Sequence, residues 1–320
     1  VYTVLTSRSF RASRPVEVIA HGAEVASVRA SLDEEGDTRE QSVGLKTGSR
    51  VARVDGKKAP TLAAYAVLSP VVVFHPGELT LSMGAGSERR RLLDRVALHL
   101  VPASLGDLEA TTRALRGRQK ALELRGVDAK DADHWEELTV RHGLAVLSAR
   151  RLAAERIAGA AVAAFARIAA PDLALRVAYM PGAPEDADAF AARLRDRRVV
   201  DLRRGGATVG PHRDELLLEV GGKPARGVAS QGQHRALVLA LKLAEIAVIG
   251  ATRQVMPIVL LDDVSSELDR SRTAALFAAL RDHYGQVLLT TTRPELVEVG
   301  ESALDARVDF RVHKGSLERV

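Results

Sequence analysis

The sequence predicts an α/β protein, a parallel-sheet lobe interrupted by a long, mainly helical lobe. Three observations carry this. Two continuous apolar runs, 257–261 and 287–289, flank a helical stretch at about 270–283. Strand, helix and strand at that spacing imply a parallel pair joined by a right-handed crossover. From Ser87 to about residue 198 the pattern is helical, whereas residues 1–75 are β-rich and broken by turns.

The elements follow in order. Val51-Ala52-Arg53-Val54 runs into Asp55-Gly56, a pair suited to a tight hairpin. The apolar run 71–74 is closed by Pro76-Gly77, a breaker. Ser87 is placed to cap a helix through Leu92, Leu93 and Val96, and further helices are expected at about 104–125, 134–169 and 186–198. The 134–169 stretch is rich in Ala, which favours helix and close packing. Residues 216–220 read as a strand ending at Gly221-Gly222, and a helix at 231–249 places Leu237, Leu241, Ala244 and Val248 on one face. The expected division is 1–76 as the β-rich part of the first lobe, 77–245 as the helical lobe, and 246–320 as a return to the first lobe.

The chain has 320 residues, of which 46% are hydrophobic, enough for a sizeable core. Its formal charge of +5 favours an acidic partner such as nucleic acid. With no Cys, disulfides and cysteine metal sites are excluded, which fits a reducing cytoplasm. No apolar core follows a basic segment at the start, so no secretory signal is expected there. The longest apolar helical stretch, 157–170, is broken by Arg167 and is too short to span a bilayer. A soluble, cytoplasmic protein without a membrane partner is expected. The chain opens on Val in mid-pattern, so an upstream segment is also expected.

Four motifs carry chemistry. Asp262 and Asp263 follow the apolar run directly, at the carboxyl end of a strand buried on both faces, where α/β proteins place ligands. In a Walker B strand the first acid, Asp262, holds Mg²⁺ and the second, Asp263, orients or deprotonates the attacking water. The plain alternative is an Asp-rich turn. Ser230-Gln231-Gly232-Gln233 opens the long helix. It reads as a capping box, or as an ABC signature whose free N–H groups and dipole receive a phosphate that Gly232 admits closely. Asp269, behind Ser265-Ser266-Glu267-Leu268, is either a helix start or a contact across a dimer. Thr291, in Thr290-Thr291-Thr292, is either a strand residue or a phosphate-side hydroxyl. Signature, acid-ended strand, Ser-Glu-Leu-Asp loop, helix and Thr-ended strand follow the order of an ABC-type ATPase head, with a P-loop NTPase-like lobe I and a helical lobe II.

Within that class the chain resembles the RecF family of recombination mediators along its whole length. The resemblance rests on Ser7-Arg8-Ser9-Phe10-Arg11, Arg53-Val54-Asp55-Gly56 and His75-Pro76-Gly77-Glu78-Leu79. It continues through Arg89-Arg90-Arg91-Leu92-Leu93-Asp94, Gly210-Pro211-His212-Arg213-Asp214, Ser230-Gln231-Gly232-Gln233 and Leu261-Asp262-Asp263. It implies ATP and Mg²⁺ as cofactors, slow ATP hydrolysis and an ATP-dependent homodimer. It further implies binding to duplex DNA and single-strand/double-strand junctions, with RecR and RecO as partners in repair and replication-fork maintenance. One departure matters. No Gly-x-x-x-x-Gly-Lys-Ser/Thr occurs in the 320 residues, and that loop supplies the phosphate cradle. In the family it precedes the segment resembling residues 1–10.

Arg89, Arg90, Arg91, Arg150, Arg151, Arg203 and Arg204 are candidate DNA contacts, each weighed against a solvated charged face. Arg195, Arg197 and Arg198 form a further cluster of that kind. His75 and Glu78 are either Q-loop residues or ordinary loop residues. His212 has no second ligand at metal spacing, which favours a structural or interface role. Two rival functions remain. A transport ATPase subunit would engage a membrane protein rather than DNA. A non-enzymatic DNA-binding scaffold is the literal reading of a chain without the phosphate loop.

Overall fold

The computed structural model describes residues 1–12, 14–34, 36–169, 173–263, 270–281, 285–294, 297, 307–314 and 316–320. The described helices are α1 (Tyr2–Thr6), α2 (Leu62–Ala66), α3 (Thr80–Met83), α4 (Gly86–Leu100), α5 (Ser104–Arg125), α6 (Lys130–Ile168), α7 (Ala187–Asp196), α8 (Arg198–Arg204), α9 (Gln231–Arg253) and α10 (Arg270–Arg281). The strands are β1 (Val25–Glu34), β2 (Asp37–Lys46), β3 (Ser49–Val54), β4 (Lys57–Lys58), β5 (Val71–Phe74), β6 (Leu175–Met180), β7 (Glu215–Val220), β8 (Lys223–Pro224), β9 (Ile258–Asp262), β10 (Val287–Thr290), β11 (Phe310–His313) and β12 (Ser316–Arg319).

Alternating exposure along β1 and β2 builds an antiparallel sheet of order β1-β2-β3-β4. Asp55 and Gly56 both take positive φ, 49° and 76°, as a tight right-twisted hairpin requires. The sheet buries Val43, Leu45 and Ala52 against Tyr65 of α2, and the Tyr65 hydroxyl donates to the Val4 carbonyl of α1. The β-rich expectation for residues 1–75 therefore omits α1 and α2. The Thr61 hydroxyl caps α2 by accepting from the Ala64 amide.

The second layer is a parallel sheet of order β10-β9-β5. One face packs Val72, Phe74, Val259 and Leu261 on Leu239, Ile246 and Ile249 of α9 and Leu276 and Leu280 of α10. The other sets Val71, Val73 and Leu260 against Val4 and Leu5 of α1. Burial on both faces is why these strands are apolar without alternation. β10 stands at the edge, with Val287 and Leu288 each 37% exposed.

The helical lobe gathers Leu92, Leu93 and Val96 of α4, Ala153, Ile157, Ala161 and Phe165 of α6, Leu216 and Leu218 of β7, and Leu237 and Leu241 of α9 into one core. Strands β6, β7 and β8 form a small antiparallel sheet on it. At α6's other end Val140 and Leu147 pack on Phe190 and Leu194 of α7. Gly117 lets α5 and α6 meet, since a Cβ there would stand 2.5 Å from the Trp135 ring. Arg118, with no exposed surface, ties four helices together. It donates to Glu136 at 2.8 Å, Asp201 at 2.8 Å and the Leu194 carbonyl at 2.7 Å. Removing one partner of such a buried pair costs about 3–5 kcal/mol.

Several boundaries differ from expectation. Ala85, not Ser87, holds the cap position of α4. α6 starts at Lys130, and the 186–198 helix is instead two helices, α7 and α8, meeting at Arg197. α9 runs unbroken to Arg253, so a lobe boundary at 245 falls inside a helix that feeds both cores.

Candidate functional site

β9 delivers Asp262 to the carboxyl edge of the parallel sheet, opposite Thr290 of β10. The Thr290 hydroxyl donates to Asp262 Oδ1 at 2.9 Å, and Arg11 Nη2 donates to Oδ2 at 2.5 Å. Burial pushes the Asp262 carboxyl up. Arg11 and Thr290, with a smaller contribution from His75, outweigh it and hold the group below its usual value. The Arg11 side chain is 72% exposed, so solvent screens this pair. Asp263 leaves the strand with φ 51°, and its amide donates to the Thr290 carbonyl at 3.0 Å. Left-handed backbone is costly for most residues and tolerated by Asp; here it turns the chain sharply between the two acids. Thr290 is the hydroxyl of the Thr run that reaches Asp262; the Thr291 hydroxyl, the phosphate-side candidate, accepts from the Arg293 amide at 2.9 Å. Asp269 lies outside the described residues.

A cavity of about 670 Å³ opens beside this corner, lined by Tyr2, Arg8, Phe10, Arg11, His75 and Glu78 among others. Phe10 stacks on His75 with centroids 5.5 Å apart, and Tyr2 meets Phe10 edge-on. Burial lowers the His75 pKa. His75 Nε2 stands 3.4 Å from Glu78, which is 3.6 Å from the buried Lys242 ammonium. Lys242 and Arg95 both donate to Glu245, at 2.5 and 2.6 Å. Burial opposes that charge, but Arg95 and Lys242 bring the Glu245 carboxyl down to about 2. An ion chain thus runs from the sheet edge through α9 to α4. Sequence reasoning missed Arg11, Thr290 and Lys242. Arg11 lies in a motif quoted only for family likeness, and Lys242 reads as an ordinary helix residue.

Ser230 caps α9. Its hydroxyl accepts from the Gln233 amide at 3.2 Å, and Gln233 Oε1 accepts from the Ser230 amide at 2.8 Å. The capping-box reading therefore holds locally. His234 fixes the same turn from below through its Nδ1, 3.0 Å from Ser82 Oγ. Ser230 and Gln231 remain exposed, and Gly232 is half-buried. The first turn of α9 therefore faces solvent with its dipole end open.

The arginine clusters separate sharply. Arg89 is buried, donating to Glu215 at 2.6 and 2.9 Å and to the Leu81 and Gly84 carbonyls. Arg150 is buried between Asp94, Asp214 and the Pro211 carbonyl. Arg90 donates to the Asp214 carbonyl at 2.7 Å. Arg89 and Arg150 are corrected from candidate DNA contacts to internal braces, because both side chains are buried and Arg150 is the ion partner of the buried Asp214; Arg90 is half-buried and holds only a backbone carbonyl. Arg91 pairs with Glu88 and Arg151 with Glu185 at the surface. Arg203 and Arg204 are exposed. Asp214 also accepts from the Tyr179 hydroxyl and the Gly182 amide, and His212 Nε2 stands 2.7 Å from the Ala207 carbonyl. The Gly-Pro-His-Arg-Asp motif is thus a pinned loop. Among the described residues no group of three or more His, Asp or Glu side chains is set to hold a metal, and no helix is long and apolar enough to cross a membrane.

A parallel sheet with an acid pair on its inner strand, and a capped helix leading from a helical lobe back to that sheet, define an ABC-type ATPase head. No family model matches the chain. It is 40% identical over 307 residues to the DNA replication and repair protein RecF of Anaeromyxobacter sp. (strain Fw109-5), covering 93% of this chain and 83% of that protein. Against the protein of the same name from Myxococcus xanthus (strain DK1622) it is 38% identical, covering 99% and 86%. The chain belongs to the RecF family of DNA replication and repair proteins. Its fold matches the solved structures of the recombination mediator protein RecF-ATPrS and RecF-ATP in the RecFOR pathway. The TM-scores are 0.87 and 0.83, at 22% and 23% identity, covering 100% and 99% of this chain and 86% and 87% of those chains.

Proposed function

We propose that this protein is an ATP-gated DNA-binding switch. ATP-driven dimers engage duplex DNA at gaps and single-strand/double-strand junctions and help to load recombinase with RecR and RecO in the cytoplasm. Slow hydrolysis then resets the dimer. The observation that carries this reading is the Asp262–Thr290–Asp263 corner at the end of β9. It is a hard-oxygen, anionic site at the sheet edge, where such folds hold nucleotide. The Asp262 carboxylate and Thr290 hydroxyl suit Mg²⁺, which takes one or two protein oxygens and completes its shell with water and phosphate. Arg11 already places positive charge on Asp262. Mg²⁺ bound there would neutralise phosphate charge, while Asp263 accepts the proton of the attacking water.

The phosphate cradle is the missing part. The chain spans 83–86% of the two curated relatives named above, and among the described residues β10 is an edge strand of the parallel sheet. The family likeness supports a nucleotide site that needs a phosphate cradle of the Gly-x-x-x-x-Gly-Lys-Ser/Thr kind, which these 320 residues do not contain. Fluorescent ATP titrated with Mg²⁺ tests this. The 320-residue chain is expected to bind poorly, and the protein carrying the cradle segment tightly. Tight Mg²⁺-dependent binding by the 320 residues alone would overturn the cradle argument. Weak binding by both would favour the scaffold reading.

A further inference from the structure

Five of the arginines left outside ion pairs among the described residues lie close together in the sequence of the helical lobe, on α7, α8 and their junction. Arg193 and Arg195 on α7, Arg197 at the junction, and Arg203 and Arg204 on α8 have no ion pair among the described residues. Arg193, Arg197 and Arg204 line one concavity of about 600 Å³, together with Thr208, Gly182 and a single acid, Asp196. Cations in the last turns of α7 and α8 stabilise those helix ends. That local role accounts neither for Arg197 nor for three guanidinium groups around one hollow.

The wall of the hollow is built rigidly. The loop before β7 contributes Thr208 and Val209. It is held by the Gly210 amide on the Gly182 carbonyl, by Asp214 on Arg150, Tyr179 and Gly182, and by Asp201 accepting from the Thr208 amide and hydroxyl. Exposed Arg213 extends the positive surface from the same loop. Buried charges that brace a surface loop preorganise it, which lowers the ordering cost of binding. The family motif around His212 thereby acquires a role, as the stiff rim of this hollow.

We propose that this face of α7, α8 and the 207–213 loop is a docking surface for the phosphate backbone of duplex DNA, an inference that rests on the DNA-binding function proposed above. Three points favour it. The cations are spread over two helices and a loop, matching a repeated anion rather than one small ion. Guanidinium groups match phosphate oxygens in bidentate geometry. No aromatic side chain lines the hollow, and Ala183 and Val209 are already buried, so it lacks the anchors of a peptide interface. The surface is also separate from the nucleotide corner. Along α6, Leu147 beneath α7 and Ile168 at the parallel-sheet core are about 30 Å apart.

The test is binding of a 30-base-pair duplex by the full-length protein with ATP, read by fluorescence anisotropy across a salt series. Arg193→Gln, Arg197→Gln and Arg204→Gln together are expected to weaken binding tenfold or more. They should also flatten the log–log salt slope by about 2.7, at 0.9 per lost phosphate contact. Thermal melting and ATP-dependent dimerisation should not change. Removing equal charge from the antiparallel sheet, with Arg29→Gln, Arg53→Gln and Lys58→Gln, should leave affinity and slope nearly intact. If the wild type binds duplex and the α7–α8 variant keeps its slope, the surface is refuted while the DNA-binding function stands. If the variant keeps duplex binding but loses a poly-glutamate peptide, the surface serves an acidic protein and the proposal is wrong. A wild type that binds no duplex overturns the function and the surface together.

Discussion

Ser230→Arg is expected to abolish ATP-dependent dimerisation and hydrolysis while sparing ATP binding by a single subunit. The polar groups of Ser230 and Gln233 bond to each other, and their helix end is exposed. The acid corner is occupied by Arg11 and Thr290. The exposed helix end is therefore free to meet a phosphate held by a second subunit, and a two-fold dimer would make each subunit donate and receive the same contact. A purely local role predicts a stability loss of about 0.5–2 kcal/mol with dimerisation intact in the folded fraction. Ser230→Asp separates the two, because Asp keeps the cap but sets negative charge against the γ-phosphate. Light scattering with ATP beside a thermal melt reads both variants. Normal ATP-driven dimers from Ser230→Asp would reduce the motif to a cap.

Asp263→Asn should leave ATP binding largely unchanged and slow hydrolysis by roughly 10²-fold or more, the scale of losing a general base. Asp262→Asn should act differently. It removes a charge from the oxygen pair shared with Thr290 and Arg11, and so weakens Mg²⁺–ATP engagement itself. Little stability should be lost, since Arg11 is largely solvated. Single-turnover hydrolysis with nucleotide in excess, beside nucleotide titration, distinguishes the two acids. Equal hydrolysis by wild type and Asp263→Asn would remove Asp263 from the mechanism.

Much of this was legible because local rules and tertiary structure agree. The apolar runs at β5 and β9 announce strands buried on both faces, and Asp55-Gly56 takes the positive φ values its turn demands. Ser230 and Gln233 form the reciprocal cap that their spacing implies. The arginines were not legible. Arg89, Arg150 and Arg203 look alike in sequence, yet the first two meet acids more than 50 residues away and the third meets solvent. Only tertiary packing makes that separation. That Thr290 is the residue beside Asp262 turns on the register of β10 against β9, and a one-residue slip would turn the strand's other face to the site. Arg11 reaches Asp262 across 251 positions, a pairing that no periodicity encodes.

The most direct test of an ATP-gated DNA switch is duplex affinity of the full-length protein at one fixed salt concentration, with ATP, with ADP and without nucleotide. The account predicts tight binding with ATP alone, and binding by Asp263→Asn that persists after wild type has hydrolysed its ATP and let go. Equal affinity in all three nucleotide conditions would contradict it.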